Sequence, residues 1–183
     1  MKWVFRIIFL TILVFIITMI VGATRLDTLS TERSLIIDAA PGDVFPYFND
    51  LSQHRDWSPW VSGDPDVEIV YGGPIKGRGQ SMAWRSSGVA GNGSQEITES
   101  QDGSFVRADI VTGERSGFVT YALSETVDGE LVALIGFEIA LGGFPFVQRL
   151  FAGRDKADLD AKLEQGLSTL KALAQSDLEL EEL

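Results

Sequence analysis

The chain of 183 residues contains no cysteine and a single histidine, His54. Without thiols there can be no disulfide, no thiolate metal site and no cysteine nucleophile. One histidine among scattered carboxylates is a poor ligand set for a transition metal. A catalytic histidine needs a nucleophile or carboxylate held beside it, and the sequence shows no such pairing. His54 stands between polar Gln53 and Arg55 and reads as an exposed or capping residue. Positive charge is also scarce. The 15 Lys and Arg against 26 Asp and Glu leave a formal net charge of -11. Such a surface repels phosphate polyanions, so nucleic acid is not an expected partner. Gly77-Arg78-Gly79 precedes a strand instead of joining a strand to a helix, so it is no phosphate cradle. No serine sits on a strand–turn–helix elbow. Neither a metal nor a cofactor is expected.

One long hydrophobic run is present. Trp3-Val4-Phe5-Arg6 leads into a stretch from Ile7 to Val21 that is apolar except for Thr11 and Thr18, whose hydroxyls can bond back to a helix backbone. With its flanks it provides about 20 residues, the length at which a helix spans ~30 Å of hydrocarbon. Lys2, Arg6 and the amino terminus precede it, which favours a cytoplasmic N-terminus and an extracytoplasmic remainder, periplasmic in a Gram-negative cell. The expectation is a single-pass signal anchor over residues 1–24, contacting the membrane through residues 3–23. The alternative is a secreted chain cut near Ala23, where Val21-Gly22-Ala23 offers small residues to a signal peptidase.

Residues 25–31 read as a polar linker. Glu32 to Ala39 reads as a strand. Pro41 suits a first helical position, and Val44, Phe45, Tyr47, Phe48 and Leu51 follow at helical spacing. Pro46 removes one backbone bond, so this helix is short or distorted. A further helical turn over Leu51 to Asp56 and a loop at Trp57-Ser58-Pro59-Trp60 come next. Alternating segments then succeed one another: Asp66–Tyr71, Gly79–Ser86, Ser94–Ser100, Phe105–Thr112, Gly117–Glu125 and Leu131–Leu141. Asp102-Gly103 and Asp128-Gly129 are hairpin signals between them. This makes an antiparallel meander of about seven strands. Phe144, Val147, Leu150 and Phe151 open a helical apolar stripe that Leu159, Leu163, Leu167, Leu170 and Leu173 continue. Gly166 in mid-helix costs about 1 kcal/mol against alanine and implies close approach to a neighbour. Gly153 is a possible bend, and residues 176–183 form an acidic tail expected to fray.

The order strand, two short helices, six strands and one long C-terminal helix resembles the helix-grip fold of the SRPBCC superfamily, also called START-like or polyketide cyclase/dehydrase-like. The residues that carry the likeness are Ala40-Pro41-Gly42-Asp43-Val44-Phe45, Trp57-Ser58-Pro59-Trp60, Tyr71-Gly72-Gly73-Pro74, Met82-Ala83-Trp84, Gly136-Phe137-Glu138 and Gly166-Leu167-Ser168-Thr169-Leu170. They span about residues 32–175, the expected domain. The bacterial members with a leading membrane helix are the most similar. The resemblance implies an α+β fold in which a curved sheet grips the long helix around an apolar cavity, with a hydrophobic small molecule or lipid as partner. Core packing and cavity lining are both open to the aromatics. Cavity candidates are Trp57 and Trp60 at the mouth, Met82 and Trp84 on one strand face, Phe137 on the last strand and Phe151 on the helix. Strand register is not readable, so Val119 and Tyr121 compete with Phe118 and Thr120 for the inner face. Glu96, Glu138, Arg85 and Arg107 are assigned to solvent. Three readings follow: a membrane-anchored binder of an apolar ligand, an enzyme of the cyclase/dehydrase type acting on an apolar substrate, and a protein-interaction module with a filled core. The shortage of titratable pairs leans away from catalysis.

Overall fold

The structure, a computed structural model, describes residues 28–88, 91–140 and 145–181, the last as helix backbone alone over 145–155 and 177–181. The expected membrane segment lies outside the described residues. Among those described, no helix is long and apolar enough to cross a membrane.

Seven strands form one antiparallel sheet in the order β1-β7-β6-β5-β4-β3-β2. They are β1 (Thr28–Ile37), β2 (Glu68–Gly72), β3 (Ser81–Arg85), β4 (Asn92–Gln101), β5 (Phe105–Thr112), β6 (Arg115–Glu125) and β7 (Leu131–Ala140). The turns fall at the glycines that supply a positive φ, Gly103 at 69° and Gly129 at 83°. β1 starts at Thr28, inside the stretch read as linker. Thr28 to Thr31 pair with Phe137 to Ala140 of β7, and Leu29 and Thr31 are buried. Thr28 and Ser30, two of the polar residues that suggested a linker, are the outward half of a two-residue alternation.

α1 (Pro41–Asn49) begins with Pro41 at its first turn, and the Asp43 carboxylate accepts from the Ala40 backbone N–H at 3.3 Å. Pro46 is accommodated on the exposed side, while Val44, Phe45, Tyr47 and Phe48 face inward. A 3-10 turn at Leu51–Gln53 runs directly into α2 (His54–Trp57). α3 (Pro145–Glu181) is 37 residues long and continuous through Gly153. It also carries on through most of the acidic segment expected to fray.

Leu159, Leu163, Leu167, Leu170 and Ala174 of α3 are buried against the sheet and the short helices. Gly166 is the close approach its position implied: a Cβ there would lie 2.9 Å from Pro59 Cδ and 3.5 Å from the Trp57 carbonyl oxygen. α3 also covers the open edge of β1. Lys156 and Lys171 donate to the carbonyls of Ser30 and Ile36, and Arg33 to that of Glu32. These residues alternate along β1, so the bonds occupy groups that would otherwise template another strand.

Candidate functional site

The inner face of the sheet is decided by register. Phe137 pairs with Val119 and Ile135 with Tyr121, so Val119 and Tyr121 point toward α3 while Phe118 and Thr120 point out. Phe118 receives the Arg107 guanidinium 3.7 Å above its ring on the outer face. A bulge between Ile97 and Glu99 shifts the end of β4, so that Ser100 faces inward and donates to the Asn49 side chain at 2.7 Å.

A hollow of about 200 Å³ lies between the first half of α3 and this face. Its walls are Leu29, Trp60, Phe137, Ile139 and Leu159, and Thr112, Arg115, Asp158 and Lys162 form a polar rim. Trp60 and Phe137 meet there with ring centroids 4.9 Å apart. Asp158 and Lys162 pair with each other across one helical turn at 3.3 Å. The volume is below the roughly 300–1,000 Å³ usual for a drug-sized ligand, so it suits one short apolar arm or ring. A second depression of about 350 Å³ crosses the outer face of β2 to β5, flanked by exposed Val70 and Val111. Although larger, it lies on the opposite face of the sheet from α3. The smaller hollow is the one that lies between helix and sheet, with five apolar residues set against four polar ones.

The other expected cavity residues are distributed differently. Trp57 is 1% exposed and belongs to the core, not to a mouth. Its ring packs 5.7 Å from Phe48 and 5.8 Å from Tyr121, and its indole N–H donates to the Tyr47 carbonyl at 3.3 Å. Helical spacing carried α2 as far as Trp57, and that last turn swings the indole inward. Met82 and Trp84 are buried on the inner face, with Trp84 lying over Gly93 away from the hollow. The side chain of Phe151 falls outside the described part of α3.

His54 departs most from expectation. It is fully buried, not exposed or capping. Its ring stands 5.0 Å from Trp57 and 5.5 Å from Tyr121, edge-on to both. Burial drives its pKa down to about 4, against the opposing pull of Asp50, so the imidazole is neutral. The backbone of Phe48 and Tyr47 lies near the ring, yet among the described residues neither ring nitrogen has a partner in hydrogen-bond geometry. Ser58 Oγ and Gln95 Oε1 are likewise buried without partners among the described residues. Gln95 Nε2 donates to the Tyr121 hydroxyl at 3.0 Å, and burial pushes that phenol's pKa up so that it stays protonated. Each orphaned buried polar atom costs about 1–3 kcal/mol. Sequence reasoning missed this group because His54 has polar neighbours. Gln95, two residues before inward Ile97, carried the one legible signal, a polar residue on the apolar phase of a strand.

Architecture and site together define a helix-grip protein, a sheet folded against one long helix with a small recess between them. The sequence matches the polyketide cyclase/dehydrase and lipid transport family over residues 28–175, and the chain belongs to that family. No curated protein sequence matches it. Among solved structures it is similar to protein CV1439 from Chromobacterium violaceum, at 16% identity and a TM-score of 0.56, covering 80% of this chain and 96% of that one. It is similar to norcoclaurine synthase from Thalictrum at 12% identity and a TM-score of 0.60, covering 82% and 96%. The di-domain ARO/CYC StfQ of the steffimycin biosynthetic pathway matches at 15% identity and a TM-score of 0.59, over 83% of this chain and 52% of that one. At such identities the likeness is one of fold alone.

Proposed function

We propose that this protein binds a hydrophobic small molecule or lipid between α3 and the inner face of the sheet, and that its N-terminal segment anchors it to a membrane with the domain on the extracytoplasmic side. The observation that carries the reading is the hollow walled by Trp60, Phe137, Leu29, Ile139 and Leu159. Burial there favours an apolar guest by about 25 cal/mol per Å² of surface removed from water. The family description, which includes lipid transport, supports the same chemistry. Leu29 is the second residue of β1, so the polypeptide leading to the apolar segment joins the domain beside the hollow. An anchor at that point raises the local concentration of membrane-derived ligands. A cyclase or dehydrase would need an acid–base pair facing the guest, and the lining carboxylate, Asp158, is already paired with Lys162.

Native mass spectrometry of the full-length chain, extracted in detergent, tests the reading. The wild type is expected to carry a copurifying apolar mass. Leu29→Trp fills the hollow from the edge strand and is expected to lose that mass while the fold is retained. A wild type that carries none and takes up no apolar dye overturns the proposal.

A further inference from the structure

The rim of the hollow carries charge of the sign that the rest of the molecule has little of. Four polar residues line it. Thr112 and Arg115 face each other at the ends of β5 and β6, and Asp158 and Lys162 lie one turn apart on α3. Two cations against one carboxylate leave positive charge in excess at the rim, in a chain whose formal net charge is -11. Arg115 stands on the inward phase of β6. It comes two residues before Gly117, the partner of inward-facing Ile139, and four before buried Val119. Its neighbour Glu114 is exposed in the turn and does not line the hollow. A half-buried arginine on the apolar phase of a strand offers forked donors to whatever fills the space beside it. On α3 the Asp158 side chain is 72% exposed and that of Lys162 40%, so the carboxylate is the better solvated of the two. Exposed pairs of this kind hold weakly, and an incoming anion can take over the ammonium.

We propose that the ligand is an anionic amphiphile, with a short apolar arm lodged against Trp60 and Phe137 and a carboxylate or phosphate head held at the rim by Arg115 and Lys162. This rests on the binding function proposed above and names its ligand class. A guanidinium meets two oxygens of a carboxylate or phosphate with parallel N–H donors, and the ammonium adds a compact point charge. The Thr112 hydroxyl is a further donor on the same rim. The hollow of about 200 Å³ has room for one short arm, so the head of such a guest stays among the rim residues. A cationic head would meet Arg115 and Lys162 with Asp158 alone to offset them, and an uncharged head gains no ion pair. The field of the whole chain pulls the other way, since a net charge of -11 draws cations in and repels anions. A preference for anions therefore isolates the contribution of the rim. A fatty acid and a phospholipid headgroup both present this oxyanion chemistry.

The test uses the full-length protein in nanodiscs of zwitterionic phosphatidylcholine, with empty discs as reference, and four eight-carbon probes: octanoate, octyl phosphate, octanol and octylamine. Bound probe is measured by equilibrium dialysis. At least one anionic probe is expected to be retained about tenfold more than octanol and more than octylamine. Octyl phosphate ahead of octanoate identifies a lipid headgroup as the source, and the reverse order a free fatty acid; either order supports the proposal. Arg115→Gln and Lys162→Gln should each bring the anionic probes down toward octanol. Lys162 is a partly exposed helix residue, so its variant serves if Arg115→Gln fails to fold. Asp158→Asn removes the competing carboxylate and should raise anion retention, a gain that damage to the fold would not produce. Equal retention of anions and octanol by the wild type, a preference for octylamine, an anion preference that survives both glutamine substitutions, or no gain in Asp158→Asn overturns the anionic head and leaves apolar binding standing. Failure to retain any probe overturns the proposed function and the head-group assignment with it.

Discussion

At the scale of single residues, His54 and Gly166 show how position sets the sign of an effect. An unfolded imidazole takes a proton near pH 6.5, while buried His54 holds out to about 4. The unfolded state therefore binds more protons across that window, and stability should fall as pH drops through it, by up to about 3 kcal/mol. Urea unfolding at pH 7 and pH 4.5 should show this loss, and His54→Phe should reduce it markedly. A loss of the same size in the variant would mean that carboxylates alone account for the acid sensitivity. Alanine for glycine in mid-helix ordinarily gains about 1 kcal/mol. At Gly166 the new Cβ would press on the rigid Pro59 ring at 2.9 Å. Overpacking of that kind costs about 1–3 kcal/mol, so Gly166→Ala should be neutral to destabilising in thermal or denaturant unfolding, and clear stabilisation would rule out the contact. The close approach was legible in the sequence, because a glycine in an otherwise apolar stripe needs a reason. The burial of His54 was not, because its sequence neighbours are polar and its aromatic neighbours come from Trp57 and from Tyr121 on a distant strand.

At the scale of elements, α3 separates residues that periodicity treats alike. Leu163 is fully buried, whereas Leu173, on the same stripe, is half-buried. Leu163→Ala should cost about 2–5 kcal/mol, and Leu173→Ala about 1 kcal/mol or less. Equal urea midpoint shifts for the two variants would contradict the packing. The helix itself was readable from leucines at spacings of three and four, and the strands from alternation and from Asp-Gly turns. The start of β1 was missed because Thr28 and Ser30 face out. Only pairing with β7 shows that Leu29 and Thr31 face in. Register likewise chose Tyr121 over Thr120, since a shift of one residue exchanges the two faces of a strand.

At the scale of the whole molecule, the chain's lack of cysteine makes its orientation directly measurable. Val127, fully exposed in the turn between β6 and β7, can be replaced by a single cysteine. In intact cells Val127→Cys should react with a membrane-impermeant maleimide, as a domain outside the cytoplasm requires. Protection until the cells are lysed would place the domain inside. The sequence by itself determined the helix-grip order of elements, the amphipathic C-terminal helix and the absence of thiol chemistry, because periodicity, turn chemistry and composition are local properties. Only the tertiary structure decided which side chains share a space: that Trp60 meets Phe137 at a hollow of about 200 Å³ while Trp57 fills the core. It also decided that His54 of α2, Gln95 of β4 and Tyr121 of β6 meet out of reach of water. Burial and void volume arise from contacts between residues far apart in the chain, and no local pattern encodes them.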